Sequence, residues 1–409
     1  MASPLDLRYM KLVRFTFSLI DSWPHYEMKS KKPVLANNKF LFCVIFFVFV
    51  AELLYIKNNV RVLSFLIMGH TYITVLITSN TLFRLTLPWT KGYRQLIIDF
   101  VENIHIFNYK DDSDYSKKMH NKIHKISLYY TVFLHVQMYS GITLFNITPL
   151  HNNIRAGLLK EKVSPNETID IELSIYYDLP FDSQENLTAY FIVFLFNFFV
   201  SFINTFVMCI NELFISLIAI HLWGHFKILE HNLINFPRPK VNNRINISNH
   251  EEESTFTTSL LIKYMKQHLV ATEFLSKTVN VFGPTMCLYY LFQQISECIL
   301  LCEICKLDAE ALGKYGILTV VLFQQLIQIS IVYEIMSSMN DRIINAVYSL
   351  PWEHMTVGNQ KIVLFFLKNV QVPFNLRALD MVPIGAQTMV AIIKTSFSYF
   401  IMLRTIAYD

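Results

Sequence analysis

Glycine and charged residues are both scarce in this chain of 409 residues, and each scarcity argues against a class of function. Glycine occurs only 10 times, against about 7% of residues in average proteins. Nowhere do these glycines form the G-x-G-x-x-G or G-x-x-x-x-G-K-[ST] patterns that cradle phosphates, which argues against nucleotide chemistry. Charged residues make up 16% of the chain and the net charge is +4, too small and too dispersed for a nucleic-acid partner.

Cysteine is also rare, with six in the whole chain, all in or beside apolar stretches. This placement favours packing roles over a disulfide scaffold or a paired-cysteine zinc site. Cys298, Cys302 and Cys305 share one helical face, so an extracellular disulfide among them stays an alternative.

Catalytic and metal-binding patterns are weak. His120 and His124, like His221 and His225, have the i, i+4 spacing of two helical metal ligands. Neither pair has an acid in an H-E-x-x-H arrangement, so we expect no metal and no cofactor. A G-x-S-x-G nucleophile elbow is lacking too, and an enzyme is not expected.

What the sequence has in abundance is hydrophobic residues, at 53%. A bilayer core of about 30 Å requires roughly 20 apolar residues in a helix. Seven such runs predict an all-α membrane protein with seven transmembrane helices. The predicted spans are 40–56, 62–83, 126–150, 187–211, 278–297, 315–333 and 381–403.

The distribution of Lys and Arg predicts the orientation of these spans. The N-terminal segment and two alternate connections carry twenty, and the other three connections carry seven. Because basic loops stay in the cytoplasm, we expect a cytoplasmic N-terminus and an extracellular C-terminus. The predicted regions are a cytoplasmic N-terminus (1–39), a bundle of six spanning helices (40–350), and a C-terminal region that ends in the last span (351–409).

The connection 149–186 carries two N-x-[ST] sequons, at Asn166 and Asn186, together with seven acidic residues. We expect both asparagines to be glycosylated, because this connection lies outside the cell in the predicted orientation. The polar stretch 237–259 predicts a cytoplasmic loop. Residues 359–372 predict a cytoplasmic helix, too short to span and ended by Pro373.

Aromatic and uncharged polar residues occur in the outer halves of spans two, three and four. Several are i, i+4 pairs that share a helical face, and such groups suit a pocket for a small, weakly polar molecule. The alternative is that they pack or face lipid. The candidate ligand-binding residues are Met68, Tyr72, Tyr139, Thr143, Tyr190, Phe194, Asn197 and Phe198.

The last span has one polar face that becomes hydrophobic at its outer end. Copies of this helix around an axis would form a wetted vestibule closed by an apolar ring. Lys394 lies at the edge of this face, and it either acts in the pore or extends to the cytoplasmic interface. The candidate pore and gate residues are Thr395, Ser398, Met402, Thr405 and Ile406.

Three C-terminal runs resemble the end of insect odorant receptors: Ala-Val-Tyr-Ser-Leu-Pro-Trp at 346–352, Gln-Val-Pro-Phe at 371–374, and Lys-Thr-Ser-Phe-Ser-Tyr-Phe-Ile-Met-Leu-Arg at 394–404. A weaker similarity lies in Tyr-Asp-Leu-Pro-Phe at 177–181. The resemblance implies a split last helix, an odorant site between spans two, three, four and six, and a gate at Met402 and Ile406.

The same resemblance implies a ligand-gated cation channel in which this chain is the odorant-tuned subunit of a heterotetramer with the co-receptor Orco. It further implies a volatile odorant as ligand, no obligatory G protein, and the dendritic plasma membrane of an olfactory sensory neuron. Two alternatives stay open. One is a gustatory-receptor-type channel, and the other is a G-protein-coupled receptor, although D-R-Y-like and N-P-x-x-Y-like motifs are missing from the expected span ends.

Overall fold

The computed structural model describes residues 3–29, 37–63, 65–159, 171–178, 187–238, 247–304, 309–374, 376–379 and 381–408. Within these ranges the chain is almost entirely helical, with one short antiparallel hairpin. The α-helices are α1 Arg8–Leu19, α2 Asn38–Asn59, α3 Phe65–Thr86, α4 Lys91–Asp99, α5 Asp114–Arg155, α6 Leu187–Ile234, α7 Ile247–Ile304, α8 Ala309–Tyr348, α9 Val357–Val370 and α10 Ala386–Tyr408; the strands are β1 Arg377–Ala378 and β2 Val382–Pro383.

Several helices begin at a polar residue whose side chain accepts from the first backbone N–H groups. Asn37 does so for α2, Thr90 for α4, Ser113 for α5 and Thr356 for α9. Such caps satisfy donors that have no partner within the helix. They place the helix starts at polar residues between the apolar runs.

Each of the seven predicted spans lies in or overlaps a helix, and most of these helices are longer than the span. The 48 residues of α6 correspond to about 72 Å at 1.5 Å per residue, more than twice the bilayer core. Two sequence expectations were wrong in detail. Part of the expected 237–259 loop is helical, because α7 begins at Ile247, and the expected 381–403 span begins in the hairpin, with α10 starting only at Ala386.

Among the described residues, four segments are long and apolar enough to cross a membrane by length and composition. They are Asn38–Asn59, Leu187–Ile234, Glu251–Cys302 and Leu318–His354. Membrane crossing by the helices over 62–83, 126–150 and 381–403 stays a prediction.

Helix α6 lies at the centre of the bundle and packs against α3, α5, α7 and α8. Most of its side chains from Val200 onward are buried. At Gly224 an added Cβ would lie 2.6 Å from Ile106 Cδ1 and 3.2 Å from Ile123 Cγ1. Glycine therefore permits the close approach of α6 to α5 and to the segment before it.

The predicted division of the last segment is present as two helices. Helix α9 ends at Val370 and is followed by Pro373, which agrees with the short helix expected there. Strands β1 and β2 then pair antiparallel, and α10 follows. The Thr388 hydroxyl of α10 donates to the Pro383 carbonyl, which ties the start of α10 to the hairpin.

Candidate functional site

A cavity of about 240 Å³ lies between α3, α5, α6 and α8. These are the helices of the second, third, fourth and sixth predicted spans, between which the resemblance places the ligand. The wall is formed by His70, Ile73, Thr74 and Ile77 of α3; Gln137, Met138, Gly141, Leu144, Phe145, Thr148 and Pro149 of α5; Leu173 and Ile175; Ser201, Asn204, Thr205, Met208 and Cys209 of α6; Phe292 of α7; and Leu318, Val321, Leu322 and Gln325 of α8.

The wall is mainly apolar, with polar groups concentrated on α3 and α6. Asn204 donates from Nδ2 to Thr78 Oγ1 at 3.5 Å, and its Oδ1 has no partner among the described residues. A small volume with few hydrogen-bonding groups fixes the orientation of a weakly polar molecule. On α5 the wall includes Leu144, which is 49% exposed, so the cavity opens sideways through the bundle surface.

Residues 171–178 lie across one end of the cavity. Ser174 Oγ donates to Asn146 Oδ1 at 2.9 Å, and Asn197 Nδ2 donates to the Ile175 carbonyl at 3.1 Å. The ring of His70 lies 2.7 Å from the Ser174 carbonyl through Nε2. Side chains of three helices thus hold this segment, two of them through its backbone carbonyls, and it closes one end of the cavity.

The eight candidate ligand residues lie on these helices, but none of them lines the cavity. Met68 is buried in α3. Tyr139 and Thr143 are exposed, and the Thr143 hydroxyl donates to the Tyr139 carbonyl at 2.8 Å. Phe198 packs against the main core. Contact of any of these residues with a ligand stays a prediction, and the geometry favours the neighbouring faces of the same helices.

Three other candidates lie at the end of α6, near residues 171–178. Tyr190 accepts from Asn153 Nδ2 at 3.0 Å, and its ring is 6.5 Å from that of Phe194. Asn197 holds the Ile175 carbonyl. These residues support the segment that closes the cavity, a role that sequence reasoning missed. The sequence feature that indicates this role is the presence of asparagines in otherwise apolar runs. These asparagines are Asn146, Asn153 and Asn197, and all three are buried in the fold.

Tyr72 lies instead in a second, more open cavity of about 540 Å³ between α3, α7 and α10. Cys298 and Cys302 line it together with Tyr399 of α10. Cys305, the third member of the cysteine group, lies outside the described residues. This second cavity therefore lies between the bundle and the last helix.

The predicted pore face of α10 points away from the rest of the chain. Ser398, Met402 and Thr405 are exposed, whereas Ile392 and Ser396 are buried against the bundle. Thr395, Ser398 and Thr405 each donate their hydroxyl hydrogen to the carbonyl four residues earlier, at 2.7 to 3.0 Å. The oxygen lone pairs therefore remain available to accept or to coordinate a cation. The side chain of Ile406 lies outside those described.

One member of the histidine pairs, His221, joins a hydrogen-bond network with Tyr9 and His105, whereas His120 and His124 lie beside it through ring contacts. The Tyr9 hydroxyl of α1 lies 2.6 Å from His105 Nε2 and 3.0 Å from His221 Nε2. His225 Nε2 lies 2.6 Å from the Ile104 carbonyl. Burial, aided by the charges of neighbouring histidines, lowers the pKa of His105 to about 3. The network links the N-terminal helix to α6 through neutral groups.

Long apolar helices packed around a cavity are typical of membrane receptors. The family model of the 7tm odorant receptors matches residues 62–397. The chain therefore belongs to the odorant receptor family and is a membrane receptor for odorants. This family assignment favours an odorant receptor over the two alternatives, a gustatory-receptor-type channel and a G-protein-coupled receptor. No curated protein matches the chain.

Two solved structures have the same fold. The insect olfactory receptor OR5 from Machilis hrabei is similar with a TM-score of 0.77 over 97% of this chain and 98% of that one, at 10% identity. The same receptor in complex with eugenol gives a TM-score of 0.76 over 98% and 99%, at 11% identity. At this identity the likeness concerns the fold.

Proposed function

We propose that this chain is the odorant-binding subunit of a ligand-gated, non-selective cation channel that assembles as a heterotetramer with the co-receptor Orco. The observation that carries the proposal is the outward face of α10, where the hydroxyls of Thr395 and Ser398 precede the exposed, apolar Met402. Around a common axis, four such faces form a hydrated path for cations that ends in a hydrophobic constriction.

In this proposal the N-terminus is cytoplasmic, the C-terminus is extracellular, and seven helices span the plasma membrane of the sensory dendrite. Residues 1–39, 40–350 and 351–409 are then the cytoplasmic segment, the ligand-binding bundle, and the anchor helix with the pore helix. Asn166 and Asn186, which lie outside the described residues, carry glycans on the outer side.

The ligand is a small volatile molecule that binds the 240 Å³ cavity. One receptor with this fold was solved in complex with eugenol, which supports a ligand of that size. Shifting a gate from 1:99 to 99:1 requires about 5.5 kcal/mol of preference for the open state. A ligand with about ten heavy atoms gains between roughly 3 and 15 kcal/mol in total, so it supplies this preference only when it binds efficiently and mainly to the open state.

Whole-cell recordings test the channel. We expect odorant-evoked currents when the chain is expressed with Orco, reduced currents without it, and persistence of the currents when G-protein signalling is blocked. Currents that disappear with the G-protein block would reject the proposal.

Met402→Ala tests the gate. Shortening the side chain widens the apolar ring, so we expect the current without ligand to rise on the order of tenfold, equivalent to about 1.4 kcal/mol in the opening equilibrium. Ile401→Ala is the matched control, since Ile401 is an exposed neighbour on another face of α10. Equal leak in the two variants would contradict the assignment of Met402, and Ile406→Ala should behave as Met402→Ala does.

Gly141→Leu tests the cavity. No atom lies within 4 Å of a Cβ added at Gly141, and Leu is a better helix former than Gly by several tenths of a kcal/mol. We expect normal surface expression and at least a tenfold loss of odorant potency, because the side chain fills the cavity. Thr143→Leu, on the exposed face of the same helix, is the control. A larger loss in Thr143→Leu would favour the face expected from the sequence.

A further inference from the structure

The wall of the 240 Å³ cavity offers hydrogen bonds but no formal charge. Among the described residues, none of those that line it is Asp, Glu, Lys or Arg. An ion in this space would lack a counter-charge, which is costly in an apolar bundle. The wall therefore suits a neutral molecule, and the fit of that molecule depends on which polar groups still have a hydrogen bond to offer.

Most hydroxyl groups of this wall already use their hydrogen within the chain. Their acceptors are backbone carbonyls or an asparagine side chain: Thr74 donates to the Thr71 carbonyl at 3.0 Å, Thr148 to the Leu144 carbonyl at 2.7 Å, and Ser201 to Asn146 Oδ1 at 3.4 Å. A hydroxyl group has a single hydrogen to donate. These three groups therefore have no donor left for a ligand.

Two amide side chains of the wall are also held by the protein. Gln137 Nε2 of α5 donates to Gln324 Oε1 of α8 at 3.1 Å, and Gln324 Nε2 donates back to Gln137 Oε1 at 3.3 Å. Asn204 Nδ2 donates to Thr78 Oγ1 at 3.5 Å. Asn204 Oδ1 has no partner in the described part of the chain, but it is enclosed by the surrounding atoms. A ligand in the cavity therefore does not reach this oxygen.

Gln325 of α8 and Thr205 of α6 differ from these groups. Both line the cavity and both are partly buried. Neither side chain forms a hydrogen bond with another described residue, and none of their polar atoms is enclosed as Asn204 Oδ1 is. By contrast, Gln324 Nε2 on the same helix also donates to Gln328 Oε1 at 3.1 Å. The amide of Gln325 and the hydroxyl of Thr205 are thus open to the cavity.

An open amide is unusual in a membrane helix, because polar side chains there bond across helices. Gln325 lies within Leu318–His354, which is long and apolar enough to cross a membrane. Helices α6 and α8 pack against each other, so Gln325 and Thr205 approach one space from neighbouring walls. Together they offer two N–H hydrogens and one O–H hydrogen.

We propose that the cavity takes neutral carbonyl compounds, namely small ketones, aldehydes or esters, whose carbonyl oxygen accepts hydrogen bonds from Gln325 Nε2 and Thr205 Oγ1. The inference rests on the proposed function, because it specifies the ligand of the same cavity. A carbonyl oxygen has two lone pairs and no hydrogen, so it can accept from both helices and leaves no donor of its own unpaired. The hydrocarbon part of the ligand then lies against α5, which supplies Met138, Leu144 and Phe145.

Other neutral molecules fit these two groups less well. A hydrocarbon of the same shape covers the Gln325 amide without replacing its hydrogen bonds, and sites with such polar groups reject ligands that leave them unpaired. An alcohol must also place its own hydrogen, and placing it on Gln325 Oε1 turns the Gln325 N–H groups away. We therefore expect a ketone to be favoured at least tenfold over the hydrocarbon, equivalent to about 1.4 kcal/mol, and to exceed the alcohol.

The test compares three molecules that share one ring. They are cyclohexanone, cyclohexanol and methylenecyclohexane, in which a methylene group replaces the carbonyl oxygen. Potency is measured as the current of the chain co-expressed with Orco, and binding as thermal stabilisation of the purified full chain in detergent. In the wild type we expect both measurements to rank the ketone first and the hydrocarbon last, with at least a tenfold difference between them.

Gln325→Met keeps the length of the side chain and removes the amide, so it should reduce the ratio of ketone to hydrocarbon potency several-fold. Thr205→Val removes the hydroxyl at nearly the same shape and should reduce the ratio by a smaller factor. The double variant should bring the ratio to about one. Gln328→Met, on the same helix but outside the cavity wall, is the matched control and should keep the wild-type ratio. The ratio separates recognition from gating, because both ligands open the same gate.

Equal stabilisation by the ketone and the hydrocarbon in the wild type overturns the inference. So do a higher potency of the alcohol, an unchanged ratio in Gln325→Met, and the lack of stabilisation by the ketone at its solubility limit. If Gln325→Met does not fold, the wild-type ratio and Thr205→Val decide. Stabilisation by the ketone that is lost in Gln325→Met, without any current in the wild type, supports the carbonyl site and contradicts the channel. Currents of equal size for the ketone and the hydrocarbon support the channel and contradict the carbonyl site.

Discussion

Arg84→Leu is expected to abolish folded protein. The Arg84 side chain is fully buried, and its guanidinium donates to Asn80 Oδ1 at 3.2 Å, to the Met208 carbonyl at 2.7 Å and to Glu212 Oε1 at 3.2 Å. Removing one partner of a buried ion pair costs about 3–5 kcal/mol, because the other charge stays buried. This is a large part of the 5–15 kcal/mol that stabilises typical proteins.

The measurement is the yield of monodisperse protein in detergent by size-exclusion chromatography. Glu212→Gln removes the charge but keeps an acceptor for Arg84, so it should cost less than Glu212→Leu. The double variant Arg84→Leu with Glu212→Leu should recover part of the yield, since neither charge is then left alone. Wild-type yield of the single variant Arg84→Leu would show that the pair contributes little to folding.

The positions of the helices could be predicted from the sequence because one local property, an apolar run of about 20 residues, locates a membrane helix. The full length of the helices could not be predicted in the same way. Helix α7 begins at Ile247 within a polar stretch that looked like a loop. Its N-terminal part is stabilised by contacts with α9, such as Thr258 Oγ1 donating to Asn359 Oδ1 at 2.6 Å.

The cavity lies between the helices that the resemblance indicates, whereas the candidate ligand residues lie on other faces of those helices. An i, i+4 pair such as Tyr139 and Thr143 identifies a helical face, but in a membrane protein the lipid-facing side is as apolar as the core. Hydrophobicity therefore does not indicate which face points inward. Buried polar residues do indicate the inward face, because they need hydrogen-bond partners within the protein. In α5 that residue is Asn146, which bonds to Ser174.

The network around Tyr9 could not be predicted, because its members are 96 and 212 positions apart in the sequence. Spacing alone indicated only that His221 and His225 share a face. In the fold, His221 Nδ1 accepts from the Ile106 N–H at 3.2 Å and His105 Nδ1 accepts from the Phe107 N–H at 3.2 Å. Each ring therefore carries its hydrogen on Nε2 and donates it to the Tyr9 hydroxyl.

Acidification is expected to unfold the region that this network holds together. Protonating Nδ1 of His105 would set its new N–H against the Phe107 N–H, and the same holds for His221 against Ile106. The pKa of His105 falls to about 3 in the fold, against about 6.5 when unfolded. The contribution of His105 to the free energy of unfolding is therefore complete above pH 6.5. It is lost as the pH falls from 6.5 towards 3, at up to about 1.4 kcal/mol per pH unit.

The melting temperature of the detergent-solubilised chain at pH 7.5, 6.5 and 5.5 measures this loss. His105→Gln should reduce the fall in melting temperature between pH 6.5 and 5.5, because it keeps a donor for Tyr9 and removes the titrating ring. His354→Gln, at an exposed histidine, should leave the fall unchanged.

Tyr9→Phe deprives two buried N–H groups of their acceptor, which costs about 1–3 kcal/mol for each group. It should therefore lower the melting temperature at every pH, and a variant as stable as the wild type would mean that the two histidines find other acceptors.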